Sequence, residues 1–296
     1  MSKRAKPKPI KKAPGPKKVP SLSKKSAAGK FQLRHDPSFR LAPVAHGFRT
    51  TFALAGGRRA LSLARAAVAP GARVAATIPP GSSRQEVAHP GAFPWCSHVE
   101  LILMLPAGGR AVGTGWVIGP RTVITAGHCV YDGGWMLNIS VTPGGTDSGF
   151  ETVVAANFDA PDEWVNGIGQ ERQKSDIGVV YVRDPFPAPI TPLNYAVYDD
   201  ATMGAIAPGR LSAAGFPANP FGSFLVDRGD LTDFNAPFLH YNVETSRGQS
   251  GAPLVHWEDD HTPVVIGVHH FNVAPNVNRA VRIGPNAAAL LRSWTL

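Results

Sequence analysis

Short apolar runs separated by turn-forming residues dominate the chain from about residue 94 onward. Three of them, VELILML (99–105), AVGTGWVI (111–118) and TVITAG (122–127), are divided by segments that contain Gly and Pro. Runs of this length with such punctuation predict antiparallel β-strands joined in a meander. The series continues in the runs MLNISVTP, ETVVAA, IGVVYVR, RLSAAGFP, APLVHW, PVVIGVHH and RAVRI. Strands this short and numerous favour an all-β fold, either a sandwich or a pair of barrels.

The composition disfavours several other classes of protein. No run approaches the roughly 20 apolar residues of a membrane-spanning helix. The two cysteines are too few for a disulfide scaffold or a four-cysteine zinc site. With 31 Gly and 28 Pro among 296 residues, a helical bundle is disfavoured. Only the end looks helical, where Pro285-Asn286 opens the run AAALLRSW (287–294).

The charge is divided unevenly along the chain. Residues 1–75 carry a net charge of +17, whereas residues 76–296 carry −8. The first 30 residues are a Lys- and Pro-rich low-complexity stretch, which predicts disorder, and residues 58–69 could form a short basic amphipathic helix. The acidic body would repel phosphates, so only this basic leader could bind nucleic acid or an anionic surface. The leader contains no clear Sec signal segment.

Three short segments each hold one member of a Ser/His/Asp set. They are Thr125-Ala126-Gly127-His128-Cys129, Ser175-Asp176-Ile177-Gly178-Val179-Val180 and Gly248-Gln249-Ser250-Gly251-Ala252-Pro253. A serine hydroxyl is a poor nucleophile at neutral pH and needs a neighbouring base, which an imidazole can supply. A buried carboxylate fixes the imidazole tautomer and stabilises its protonated form. The sequence therefore predicts that His128, Asp176 and Ser250 are catalytic.

The glycines around the serine suit a second catalytic requirement. An oxyanion that forms during acyl transfer needs backbone N–H donors, and the predicted donors are those of Gly248 and Ser250. A competing motif, Gly-x-Ser-x-Gly on a strand-to-helix elbow, would need glycine at the position of Ala252. No βαβ pattern surrounds this segment either, so an α/β-hydrolase is disfavoured.

At these residues the chain resembles chymotrypsin-fold serine endopeptidases and, more narrowly, the bacterial glutamyl endopeptidases. The similarity covers roughly residues 78–296 and rests on GTGWVIGPRTVITAGHCVYD (113–132), SDIGVVYV (175–182) and YNVETSRGQSGAPLV (241–255). It implies two packed antiparallel β-barrels, at about 94–190 and about 191–296, with a C-terminal helix and the site in the cleft between them. It also implies a secreted or periplasmic monomer that cleaves proteins or peptides through an acyl-enzyme, without cofactor or metal.

The same resemblance implies a substrate-binding role for Thr245 and His269. A hydroxyl and an imidazole suit a carboxylate, which predicts cleavage after Glu, or after Asp. The alternative for His269 is a core histidine on a buried strand. A trypsin-like specificity would instead need an acidic residue at the base of the pocket. The nearest candidate, Glu244, should point away from Thr245 in an extended segment. His270 is expected on the opposite strand face from His269, and a His-His pair alone is weak support for a metal site.

A disulfide is a further implication of the resemblance. In many chymotrypsin-fold enzymes the cysteine that follows the catalytic histidine, here Cys129, is bridged. The usual partner strand has no cysteine, which leaves Cys96 as the candidate, with two buried free thiols as the alternative. Such a bridge would imply an oxidising compartment.

The segment IPPGSSR (78–84) resembles the mature start of glutamyl endopeptidases, from which a leader is removed. By resemblance, residues 1–77 are then a pro-segment and the chain is a zymogen. Two rival hypotheses stay open: a catalytically silent protease-like fold, and a binder of nucleic acid or anionic surfaces through the basic leader.

Overall fold

The computed structural model describes residues 81–295, and most of them lie in strands or in the loops that join strands. The predicted leader (1–77) and its possible helix (58–69) lie outside the described residues. Residues 81–84 lead into a two-residue strand, β1 (Gln85–Glu86).

Six strands close into an antiparallel barrel, with the neighbour order β2-β3-β4-β7-β6-β5. They are β2 (His98–Met104), β3 (Arg110–Gly119), β4 (Thr122–Thr125), β5 (Asn138–Pro143), β6 (Val153–Asp159) and β7 (Gly178–Val182). Alternate residues of β2, namely Val99, Leu101 and Leu103, point into the barrel core. This period of two is the pattern that a strand with one buried face requires.

The later strands form a second, nine-stranded sheet that recruits β1 at its edge, in the order β1-β10-β9-β13-β14-β15-β12-β11, with β8 pairing to β14. Its strands are β8 (Asn194–Tyr195), β9 (Leu211–Gly215), β10 (Leu225–Gly229), β11 (Leu231–Phe234), β12 (Phe238–Tyr241), β13 (Pro253–Trp257), β14 (Pro263–Ala274) and β15 (Val277–Arg282). The predicted all-β class is confirmed.

The outer face of the barrel packs against the sheet. On β4, Val123 belongs to the barrel core, whereas its neighbour Ile124 belongs to a second core shared with Trp257 of β13. Trp116 of β3 is fully buried in that second core, together with Val268 of β14. A strand with apolar residues on both faces can contribute to two cores at once, so this second core joins the barrel to the sheet.

The C-terminal helix α4 (Pro285–Trp294) agrees with the sequence expectation, including proline in its first turn. The prediction that only this segment is helical was wrong. Three helices of five residues each also form: α1 (Asp162–Asn166), α2 (Gly169–Gln173) and α3 (Asp200–Gly204). Fewer than two turns cannot display a helical repeat of apolar residues, so pattern reading has no signal for them.

Across the described residues, 81–295, no helix has the length and apolar character needed to cross a membrane.

Candidate active site

His128 lies on a single 3₁₀ turn, Gly127–Cys129, which begins two residues after the end of β4. The strand prediction TVITAG ran two residues too far, because the chain turns at this point. A Cβ on Gly127 would lie 2.8 Å from the ring of Trp164 and 2.9 Å from Oδ1 of Asp176. The position therefore requires glycine, and its absence of a side chain lets the carboxylate approach the turn that carries His128.

Asp176 lies two residues before β7 and is completely buried. Its Oδ1 accepts the backbone N–H of His128 at 2.8 Å, and its Oδ2 is 2.8 Å from Nδ1 of the same histidine. Since a carboxylate can only accept, the imidazole hydrogen lies on Nδ1 and the lone pair on Nε2. This is the tautomer that a general base for a serine hydroxyl needs.

The electrostatics of this pair favour the charged forms of both groups. Burial alone would raise the pKa of the Asp176 carboxyl, but the charge and N–H groups of His128 and His270 outweigh burial and hold that pKa well below its usual range. Burial alone would lower the pKa of His128, but the adjacent carboxylate outweighs it and raises that pKa well above 6.5. An imidazolium formed during a reaction is therefore stabilised at this site.

Ser250 lies on a tight turn that is fastened to the barrel. Its carbonyl accepts the N–H of Thr114 at 2.8 Å. A Cβ on Gly251, which has φ +85°, would lie 2.2 Å from the carbonyl oxygen of Thr114 and the hydroxyl of Thr125. Within residues 81–295 no hydrogen bond joins the Ser250 hydroxyl to His128, although these backbone contacts bring the turn beside the strand end that leads to the histidine.

The predicted oxyanion donors lie on the same turn. Gly248 has φ +99°, and a Cβ there would lie 2.4 Å from the nitrogen of Ala218 and 2.5 Å from the oxygen of Phe216. The carbonyl of Gly248 accepts a hydrogen bond from the hydroxyl of Thr114 at 2.9 Å. This bond orients the peptide group between Gly248 and Gln249. The N–H groups of Gly248 and Ser250 donate to no acceptor in the described part of the chain, so they are available to an anionic oxygen.

The predicted specificity residues differ in their partners. Thr245 has its Oγ1 buried without a hydrogen-bond partner among the described residues. His269 is buried at the level of β14, and its Nδ1 lies 2.5 Å from the hydroxyl of Tyr241. Burial is the largest cause that lowers the pKa of His269, to about 3, so its imidazole is neutral. A Tyr241 hydroxyl that donates to Nδ1 would place the hydrogen of His269 on Nε2.

Glu244 is directed toward the segment that precedes β1. Its carboxylate accepts the hydroxyl of Ser82 at 2.9 Å and the backbone N–H of Ser83 at 3.0 Å. It also pairs with Nε of Arg84 at 3.1 Å, and the Arg84 side chain is only 4% exposed. Arg84 then donates through Nη1 to the hydroxyl of Ser246 at 2.7 Å, so the 82–84 segment holds the residues on either side of Thr245.

Sequence reasoning missed the contacts of Arg84 and His270. For Arg84 there was no local signal, because the adjoining strand β1 is Gln85–Glu86, which is polar and exposed. His270 was expected on the strand face opposite His269, and that position alone did not predict a function. On this face its Nδ1 hydrogen-bonds to Oδ2 of Asp176, a contact that no short-range pattern could reveal because 94 residues separate the two.

His128, Asp176 and His270 could also hold a metal ion, since one ligand atom from each lies within 4.8 Å of the others. In the hydrogen-bonded arrangement described here, however, both Nδ1 atoms use their hydrogens to donate to Asp176. A metal would have to displace those hydrogens, because a ligating nitrogen must be deprotonated.

The expected Cys96–Cys129 disulfide does not form, and both cysteines are buried free thiols. Cys129 directs its Sγ toward the carbonyl of Ser250, at 3.6 Å, and packs over Gly113, where a Cβ would lie 2.9 Å from that sulfur. The Sγ of Cys96 lies beside the hydroxyl of Ser97 instead, at 4.0 Å. Without this bridge, the two cysteines do not indicate an oxidising compartment.

Comparisons with known proteins bear on the family and the fold of the chain. The family model described as "Trypsin-like peptidase domain" matches residues 113–268. A glutamyl endopeptidase of Bacillus licheniformis is 28% identical over 193 residues, which are 61% of this chain and 58% of that protein. An extracellular metalloprotease of Bacillus subtilis is 26% identical over 219 residues, which are 71% of this chain and 67% of that protein.

The solved structures agree at the level of the fold. A structure titled as a Glu endopeptidase in complex with MPD superposes with a TM-score of 0.62 and 18% identity, over 72% of this chain and 96% of that one. At this identity the similarity shows the shared fold alone. The chain spans 58% of the length of the glutamyl endopeptidase that it matches by sequence.

Proposed function

Because the chain belongs to the trypsin-like peptidase domain family, we propose that it is a serine endopeptidase whose catalytic residues are His128, Asp176 and Ser250. The observation that carries the proposal is the buried Asp176 carboxylate, which accepts both the backbone N–H and the Nδ1–H of His128 at 2.8 Å. A fully buried carboxylate is costly unless its partners are in place, and here they orient a base.

The reaction follows from these groups. His128 Nε2 takes the proton of the Ser250 hydroxyl as that oxygen attacks the carbonyl carbon of the scissile bond. The N–H groups of Gly248 and Ser250 stabilise the oxyanion. The imidazolium then gives its proton to the leaving amine, which departs and leaves an acyl-enzyme on Ser250. Water repeats the sequence, with His128 again as base, and releases the carboxylic acid and the free serine.

The finer proposal is a preference for Glu, or Asp, before the scissile bond. Two neutral donors support it: the Oγ–H of Thr245, which has no partner among residues 81–295, and the Nε2–H of His269. Arg84, whose side chain reaches Ser246, is already paired with Glu244, so recognition of the carboxylate would rest on hydrogen bonds. A side chain that cannot accept these hydrogen bonds would leave buried donors unsatisfied.

We also propose that the chain is made as a zymogen, with residues 1–77 as a leader that is removed, and that the product is secreted. The contacts of Ser82, Ser83 and Arg84 with Glu244 and Ser246 support the first point, since they join the segment after the proposed cleavage site to the proposed pocket. A relative named as extracellular supports the second. Residues 78–296 would then be the protease domain, with barrels at about 94–190 and about 191–296, acting as a monomer.

One experiment tests the activity, the nucleophile and the pocket together. The full-length protein is incubated with a denatured protein mixture, and the new termini are sequenced by mass spectrometry. We expect cuts after Glu, and a loss of about 10⁶ in kcat for Ser250→Ala. A matched variant, Ser140→Ala on β5, should cleave like the wild type. The protein's own new N-terminus shows whether the leader is removed.

The other outcomes separate the parts of the proposal. Cuts after a different residue would keep the catalytic residues and discard the role of Thr245 and His269. Cleavage that survives Ser250→Ala would exclude Ser250 as the nucleophile. No cleavage even after the leader is trimmed near residue 77, with no labelling of Ser250 by a fluorophosphonate, would favour a silent protease-like fold or a basic-leader binder.

A further inference from the structure

We propose that His270 is a positioning residue for catalysis, whose Nδ1–H donates to Asp176 Oδ2 and fixes the carboxylate that orients His128. The inference rests on the proposed function, since it concerns the same carboxylate. It adds a residue that the Ser/His/Asp chemistry does not require, and one contributed by the nine-stranded sheet rather than by the barrel.

The first support is the set of donors around Asp176. Its Oδ1 accepts the N–H of His128, and its Oδ2 is shared by the Nδ1 atoms of His128 and His270. The carboxylate is fully buried and His270 is 3% exposed, so no solvent competes for these positions. Hydrogen bonds to a charged group are roughly twice as strong as neutral ones, and three of them leave the carboxylate one orientation.

The second support is the tautomer of His270. Its Nε2 is buried and has no hydrogen-bond partner within the described part of the chain. A hydrogen on Nε2 would leave a buried donor unsatisfied and would direct the lone pair of Nδ1 at the carboxylate, two unfavourable terms at once. The hydrogen therefore lies on Nδ1, where it bonds to Asp176.

The third support is that the ring cannot easily turn away. It lies 4.0 Å from the ring of Phe271, centroid to centroid, and stacks on Phe238 at 6.4 Å. Arg279 of β15 lies over both of these phenylalanines, at 4.2 and 4.4 Å. Burial is the largest cause that lowers the pKa of His270, and the cations His128 and Arg279 act in the same direction, against Asp176. The imidazole is thus held as a neutral donor.

The position of His270 in β14 gives the contact a wider consequence. The preceding residue, His269, accepts the N–H of Gly251 through its carbonyl at 2.9 Å and donates its own N–H to Ala252 at 2.8 Å. Two consecutive residues of β14 thus hold the nucleophile turn on one side and the carboxylate of the barrel on the other. His270 therefore sets the position of the base relative to the nucleophile.

The test compares two variants at this position. His270→Leu fills the space but donates nothing, whereas His270→Asn places an amide N–H near the former Nδ1. We expect Leu to lower kcat by about 10- to 100-fold, the loss associated with one hydrogen bond to a charged group, with KM little changed. We expect Asn to recover most of that loss. His256→Leu, in the same sheet beside Tyr198, is the matched control and should act like the wild type.

The pH profile separates positioning from packing. Without the Nδ1–H of His270, the charge of Asp176 acts on His128 alone, so the acid limb of kcat/KM should move to higher pH in the Leu variant and stay in place in Asn. An Asn variant no more active than Leu would overturn the proposal, and so would an unmoved limb in Leu. Both outcomes assign His270 a packing role.

A spectroscopic measurement keeps the proposal testable apart from activity. In ¹⁵N-labelled Ser250→Ala protein, proton NMR should show two exchange-protected imidazole Nδ1–H signals, one from His128 and one from His270. The His270→Leu change should remove one and leave the other. A hydrogen found on Nε2 of His270 would overturn the inference, whereas absent proteolysis in the wild type would count against the proposed function alone.

Discussion

Asp176 and Thr245, which stand for the two sides of the proposed site, differ in how completely their polar atoms are hydrogen-bonded. Both carboxylate oxygens of Asp176 are occupied, by donors from His128 and His270. The Oγ1 of Thr245 is buried with no partner among the described residues. A buried hydroxyl without a partner costs about 1–3 kcal/mol, so the fold keeps an unfavourable group at Thr245. The Asp176 carboxylate is thus hydrogen-bonded within the chain, whereas Thr245, on the side of the proposed pocket, keeps a hydroxyl that a ligand could satisfy.

The largest expected effect comes from breaking the Asp176 side. Asp176→Asn keeps the size of the side chain but presents an amide N–H where an acceptor is needed. His128 would then adopt the other tautomer, with its hydrogen on Nε2. That nitrogen could no longer accept the proton of the Ser250 hydroxyl. We expect kcat to fall by about 10⁴, measured on a Glu-containing peptide, with the thermal unfolding midpoint as a check on folding. A loss below tenfold would contradict the role of Asp176.

The pH dependence tests the same side without a mutation. The pKa of His128 is raised above 6.5, whereas the pKa of Asp176 is lowered. The Asp176 carboxylate therefore stays ionised across the pH range of the assay. Since catalysis needs the neutral imidazole, kcat/KM should fall tenfold per unit as pH drops below the raised pKa of His128. The measurement is a pH profile from about 5 to 9. A midpoint below 6.5 would show that burial outweighs the carboxylate.

The sequence could predict some residues of the proposed site but not those that support them. His128, Asp176 and Ser250 are each marked by a local motif with its own flanking strand, and the all-β fold follows from runs of period two. His270 and Arg84 carry no such mark, because each acts through a partner that is distant in sequence. Asp176 lies 94 residues from His270, and Glu244 lies in the segment before Ser250 while Arg84 precedes the first strand.

The disulfide expectation was wrong for a related reason. It was drawn from the residue that follows His128, whereas the partner of Cys129 depends on what the opposite strand presents. That strand presents Gly113, and the thiol fills the space over it. A neighbour in the sequence can indicate a bridge, but only the packing decides it.

The Thr245 side is tested by removing the unpartnered hydroxyl. Thr245→Val is nearly isosteric, so it relieves the unsatisfied group while removing one donor for a carboxylate. We expect kcat/KM for a Glu peptide to fall by about tenfold and that for the matched Gln peptide to change much less. Thr262→Val, in an exposed turn bonded to Asp259, is the control. Equal losses on both peptides would mean that Thr245 does not distinguish the Glu carboxylate from the Gln amide.

The smallest effect is expected for Arg84, whose side chain contacts the residues on either side of Thr245. Arg84 is buried, but its partner Glu244 has a side chain that is 36% exposed, so the pair contributes modestly. Arg84→Met keeps the length of the side chain and removes its bonds to Glu244 and Ser246. We expect KM for a Glu peptide to rise by about two- to fivefold with kcat unchanged, because the Asp176 side does not depend on this segment. Arg228→Met, on β10, removes an arginine that lies over Trp257 and should leave KM unaltered. A fall in kcat for Arg84→Met would show that the two sides of the proposed site are coupled rather than independent.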